Sequence, residues 1–135
     1  MKRRLTVFSL ISICLAIPMA AGEDEAQAHR DWMDEAQDLQ DTIKIAIPDK
    51  DAKAAAEAAE KLTVILEKEQ KFWAKTNIKD AAKLADGALA ASKDLAKSTK
   101  AADFEKAQQD YSSMVKNCMT CHDAHYEEKL QASGK

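Results

Sequence analysis

Apolar residues recur at helical spacing along most of this chain. From residue 24 onward, positions three and four apart fall on one side of a helix and are mostly Ala, Leu, Ile and Met. The first stripe carries Met33, Ala36, Leu39 and Ile43, and the second carries Ala55, Ala59, Leu62, Leu66 and Trp73. The third carries Ala81, Leu84, Ala88 and Leu95. The fourth carries Phe104, Ala107, Tyr111, Met114 or Val115, and Cys118, then reaches Cys121-His122. No alternating β-branched run marks a strand. The breaks between stripes are few. Ile47-Pro48-Asp49-Lys50-Asp51 is the clearest turn, because Pro48 cannot continue a helix. Lys75-Thr76-Asn77 is a weaker break, and Ser98-Thr99-Lys100 offers hydroxyl caps ahead of the last segment. These signals predict helices over 24–46, 51–75, 78–98 and 100–131. Were the break at Thr76-Asn77 to fail, 51–98 would form one long helix and the domain would have three elements. Helices of similar length on short connections predict an all-α, up-down-up-down antiparallel four-helix bundle. The stripes are rich in Ala, so the helices can approach closely, yet they supply little apolar volume. Something else is expected to fill part of the core.

The N-terminal residues read as a leader rather than as part of the bundle. Lys2, Arg3 and Arg4 precede an apolar run over 5–17, and Ala20, Ala21 and Gly22 precede the acids Glu23, Asp24 and Glu25. That is the plan of a secretory signal peptide, 1–22, leaving a single four-helix domain over 23–135. The run is shorter than the ~20 residues a membrane span needs. Cys14 lies within it and leaves with it; Ile13 before it argues against a lipid anchor at that cysteine. Losing the three basic residues takes the net charge from −3 to −6. An acidic exported domain is a poor nucleic-acid binder, since neutralising phosphates needs a basic face. Helix-former composition otherwise prevails: Pro48, Gly87 and Gly134 are the only Pro and Gly after residue 22. The charge runs Lys50-Asp51-Lys53 and Glu67-Lys68-Glu69 read as a solvated face. Gly87 costs about 1 kcal/mol relative to Ala within a helix, which suits a close contact there.

One stretch carries chemistry. Cys118-Met119-Thr120-Cys121-His122 is the C-x-x-C-H attachment signature of haem c. Each thiol adds to one vinyl group of the porphyrin, and residues three apart on a helix share a face. The adjacent His122 then turns its imidazole to the iron as the proximal ligand. Other readings of the motif fit less well. A zinc site needs four ligands, and these two cysteines with one histidine give three. A thioredoxin-type pair needs a strand leading into it. A disulfide here would close a very small loop and stabilise little. Haem attachment occurs outside the cytoplasm, in agreement with the leader, and a large apolar group would supply the missing core volume.

A leader, four helices and Cys118-Met119-Thr120-Cys121-His122-Asp123-Ala124 near the C-terminal end together resemble a class II cytochrome c, the cytochrome c′ family. The resemblance implies thioethers at Cys118 and Cys121, His122 as proximal ligand, and one covalently attached haem c. It also allows a homodimer through the first two helices. The chain departs from the family in two places. The connection at Lys75-Thr76-Asn77 is short where the family has a longer, Pro-containing loop, and His125 stands where the family often has Tyr or Phe.

In that family the residue placed by the first helix over the distal face decides the function. Met33, in His29-Arg30-Asp31-Trp32-Met33, is the candidate. Its thioether is a soft ligand that favours ferrous iron, whereas without haem a Met here would simply pack. His29, one turn away, is the rival, although a His near a helix start is more often partly exposed. His125 shares a helix with His122 and belongs to the proximal side, exposed or bonded to the haem edge. Arg30 is the one arginine after the leader. Its resemblance-implied partner is a haem propionate, for which a guanidinium fork is suited.

The expectation is thus a periplasmic monohaem cytochrome that transfers electrons through His122- and Met33-ligated iron. Its partners would be redox proteins with basic docking patches. The alternative within the family is a five-coordinate protein that binds nitric oxide or carbon monoxide. A third reading is a haem-free exported helical module. No hydrolytic or transferase constellation is present, so no enzyme is expected.

Overall fold

The computed structural model describes residues 21–132, with side-chain placement at Glu25 and from Gln27 to His125. The expected leader, 1–22, lies outside these residues but for its last two positions. Four helices follow in order: α1, Ala21–Ala46; α2, Ala52–Ala74; α3, Lys79–Lys100; and α4, Phe104–Ala132. They form an all-α bundle in which α2 packs on α1, α3 on α2 and α4 on α3. The short connections reverse the chain each time, as the sequence pattern predicts. No described helix is long and apolar enough to cross a membrane.

Local chemistry sets each reversal. After α1 the Asp51 N–H bonds the Ala46 carbonyl at 2.9 Å and the Lys50 N–H bonds that of Ile47 at 3.1 Å. Lys50 adopts φ 55°, the left-handed position of a Schellman cap. Asp51 then caps α2, its Oδ1 accepting the Ala54 N–H at 2.9 Å. Between α2 and α3, Thr76 Oγ1 donates to the Trp73 carbonyl at 2.7 Å and accepts the Ile78 N–H at 3.2 Å. This local side-chain bonding competes with the helix ladder, so the break holds and one continuous helix over 51–98 does not form.

The last connection differs from expectation. Ser98 and Thr99 do not cap α4. Their hydroxyls donate back to the Leu95 carbonyl, at 3.1 and 2.8 Å, and α3 continues to Lys100. The chain reverses through Ala102 at φ 54°, with the Asp103 N–H on the Ser98 carbonyl at 2.9 Å. Asp103 is the cap, accepting the Lys106 N–H at 3.0 Å, so α4 starts at Phe104 rather than at 100.

The principal core holds Ile43, Ala55, Ala59, Leu62, Leu95, Ala107 and Met114, all essentially solvent-free. A second, smaller cluster of Trp73, Ala81 and Ala85 lies against Phe72 and Ile78, near the α2–α3 connection. Small side chains dominate the helix contacts, as the Ala-rich stripes require.

Candidate functional site

The bundle does not close evenly. α1 and α4 barely approach each other at the backbone, in contrast to the three sequential pairs. Tyr111 of α4 reaches across, its hydroxyl donating to the Gln40 carbonyl of α1 at 3.3 Å. Beyond that bridge a cleft opens towards the C-terminal half of α4. Met33, Ala36, Gln37 and Gln40 of α1 line it, with Leu66 and Glu69 of α2 and Leu84, Ala85 and Ala88 of α3. Asn117, Cys118, Met119, Cys121 and His122 of α4 complete the wall. The cavity itself is about 100 Å³, and the recess around it, open mouth included, is about 690 Å³.

Helical spacing accounts for the α4 wall. Cys118 and Cys121 are three apart and both half-buried, and His122 beside them lines the same cleft while largely exposed. Neither cysteine is in a disulfide. Burial pushes the Cys118 thiol up to about 11, with smaller contributions from Cys121 and Glu69 charge. Met33 is half-buried on the α1 wall. The structure therefore brings Met33, Cys118, Cys121 and His122 to one cavity, although 85 residues or more of sequence separate Met33 from the motif. Among the described residues, no three His, Cys, Asp or Glu side chains converge as a metal cage would require.

Three other residues singled out in the sequence lie elsewhere. Arg30 is half-buried and turns its guanidinium to Gln27 on its own helix, with Nη2 to Oε1 at 2.7 Å. It is not part of the cleft wall. His29 is 2% exposed rather than partly open, and it too lies off the cleft wall. Its ring stacks on Phe72 at 4.3 Å between centroids, and its Nε2 lies 2.6 Å from Glu69 Oε2. His125 is buried as well, with Nε2 2.8 Å from Asp80 Oδ2.

Glu69 is the residue that pattern reading missed. Within Glu67-Lys68-Glu69, Lys68 is solvated as expected, but Glu69 is 8% exposed. Its Oε1 accepts the Trp73 indole N–H at 2.7 Å, while Oε2 faces His29. The signal was available: Leu62, Leu66, Glu69 and Trp73 continue one inward stripe at steps of four, three and four. A carboxylate on such a stripe needs partners, and Trp73 at i+4 and His29 supply them.

Two thiols, an imidazole and a thioether on one cleft are the donor set that a covalently held haem would need. No protein-family model, no curated protein and no solved structure matches this chain.

Proposed function

We propose that this chain is a monohaem c-type cytochrome whose work is electron transfer. The observation that carries the reading is the convergence of Met33 on α1 with Cys118, Cys121 and His122 on α4 at one cleft. In this reading Cys118 and Cys121 anchor one haem c, His122 holds the iron from α4, and Met33 holds it from α1. Bound there, the haem supplies a reversible one-electron couple. Leu66, Leu84, Ala85 and Ala88 present apolar surface that excludes water and favours the less charged state. Arg30 as a propionate partner requires its guanidinium to leave Gln27.

The surface suits the expected partner. Asp31, Asp34, Glu35, Asp38 and Asp41 are all exposed on α1, the helix that forms one lip of the cleft. Their spacing of three and four runs them along that helix, where they would steer a protein with a basic patch to the cleft. Periplasmic residence follows in this proposal from the leader segment alone.

The test is mass and spectrum together. Co-expression with haem-attachment machinery should give a chain heavier by one haem, with a low-spin spectrum in both oxidation states. Met33→Ala should convert it to high spin. A wild type that takes up carbon monoxide without losing a ligand would instead make the chain a five-coordinate gas-binding protein. A chain with no covalent haem would leave a haem-free helical module.

A further inference from the structure

Behind the cleft wall stands a buried, titratable pair that electron transfer alone does not require. His29 and Glu69 are both more than nine-tenths buried, on α1 and α2, with Nε2 and Oε2 2.6 Å apart. Two bare acceptor atoms would repel at that distance, so the pair holds at least one proton. The contact has the distance of an ion pair without the directionality of a hydrogen bond. Trp73 fixes the other carboxylate oxygen from inside the core. Glu69 is also part of the cleft wall. Glu69 thus gives the pair one face on the cleft.

We propose, on the strength of the haem reading above, that the His29–Glu69 pair takes up a proton when the cleft takes up an electron. The pair has two states. With imidazolium and carboxylate it is neutral, and with imidazole and carboxylate it carries one negative charge. Reduction adds a negative charge to a site of low dielectric, which favours the neutral pair. The balance is ferric protein plus one electron from the redox partner plus one proton from solvent, giving ferrous protein with His29 protonated. Oxidation reverses both transfers.

Other charged groups face this region from each neighbouring helix. On α4, Cys118 feels the Glu69 charge, and His125 lies beside Trp73 at 6.2 Å between ring centroids. On α3, Asp80 pairs with His125. On α2, Lys68 sits over the Trp32 ring of α1 at 5.4 Å. His125 and Asp80 form their own pair, with Trp73 standing between His125 and Glu69. Cys118 loses its proton on thioether formation. Among the described residues, the His29–Glu69 pair is therefore a unit next to the cleft able to change charge with the iron.

The deciding experiment is the midpoint potential of the haem-loaded protein from pH 5 to 8, the range in which imidazoles ordinarily titrate. Full coupling makes the redox equilibrium change tenfold per pH unit, about 59 mV for one electron. The wild-type potential should fall with rising pH towards that slope, and dye-monitored proton uptake on reduction in weak buffer should approach one per electron. Both His29→Gln and Glu69→Gln should flatten the slope and abolish the uptake. Glu69→Gln keeps an acceptor for Trp73, so it tests the charge even if His29→Gln folds poorly. A potential independent of pH in the wild type overturns the proposal, as does an unchanged slope in the variants. Absence of covalent haem by mass is a separate outcome that overturns the haem reading itself.

Discussion

Gly87 of α3 and Asn117 of α4 meet with no room for a methyl group between them. A β-carbon on Gly87 would lie 2.6 Å from Asn117 Oδ1 and 3.1 Å from its Cγ. Asn117 meanwhile folds its amide back along α4, Nδ2 donating to the Ser113 carbonyl at 3.0 Å. Since Asn117 precedes Cys118 and is itself in the cleft wall, this contact fixes how the motif sits over α3.

Gly87→Ala therefore sets two effects against each other. Helix propensity gains about 1 kcal/mol, and the end of a flexible side chain must move. Urea denaturation should show a net change within about 1 kcal/mol of wild type. In an Asn117→Ala background the obstacle is gone, and the same substitution should stabilise by about 1 kcal/mol. Gly87→Val adds a branch that the contact cannot accept and should destabilise by about 1 to 3 kcal/mol. Equal effects of Gly87→Ala in both backgrounds would show that the contact carries no constraint.

The two Schellman caps place L-residues where glycine is favoured. Ala102 at φ 54° and Lys50 at φ 55° each hold a strained left-handed conformation. Replacing Ala102 with Gly relieves that strain but frees the unfolded chain, so the net gain should be about 0.5 to 1 kcal/mol. Lys50→Gly should behave alike, and the two should add, because the sites belong to separate turns. Thermal melts of the two single variants and the double variant check this, and a fall in melting temperature for either would count against the cap geometry.

These caps mark where the sequence was readable and where it was not. Pro48 and Thr76 announce their turns by chemistry that acts locally, and the helices end within a few residues of both. Ser98 and Thr99 look like caps for α4 because hydroxyls favour such positions, but the same hydroxyls can donate backwards to Leu95. Which option wins depends on burial inside α3, and both residues are buried there. The C-x-x-C-H motif is local and legible. That Met33 shares its cleft depends on how α1 and α4 diverge, which no single stretch encodes. Glu69 and His29 were misread for the same reason: each looks solvent-seeking until its partner on another helix is known.

Trp73 tests how much that buried network contributes. Its ring is 1% exposed, and its indole N–H donates to Glu69 at 2.7 Å. Trp73→Phe removes the donor and part of the ring, leaving a buried carboxylate with one support fewer. The combined loss should be about 2 to 4 kcal/mol by urea denaturation. Glu69→Gln retains the acceptor and should lose less than Trp73→Phe. A loss under 1 kcal/mol for Trp73→Phe would mean that the bond contributes little to folding.

Cys118 yields a pH dependence that, under the proposed haem attachment, would differ between haem-free and haem-loaded chains. Its thiol is held at about 11 in the folded protein, mainly by burial, with Cys121 and Glu69 adding to the effect. In the unfolded chain a cysteine titrates near about 8.5. Between these values the unfolded chain has lost a proton that the folded chain still holds, so rising pH favours unfolding. The stabilisation is whole below about 8.5 and is lost as pH rises through about 11. Haem-free wild type should accordingly lose stability more steeply than Cys118→Ser across this interval, measured by urea denaturation at stepped pH. Lysine titration contributes to both proteins and cancels in the difference. Thioether formation removes the ionisable proton, so the haem-loaded wild type should lack this extra slope. Parallel pH profiles for haem-free wild type and Cys118→Ser would place the thiol in contact with water. The α4 wall of the cleft would then be open where the structure has it packed.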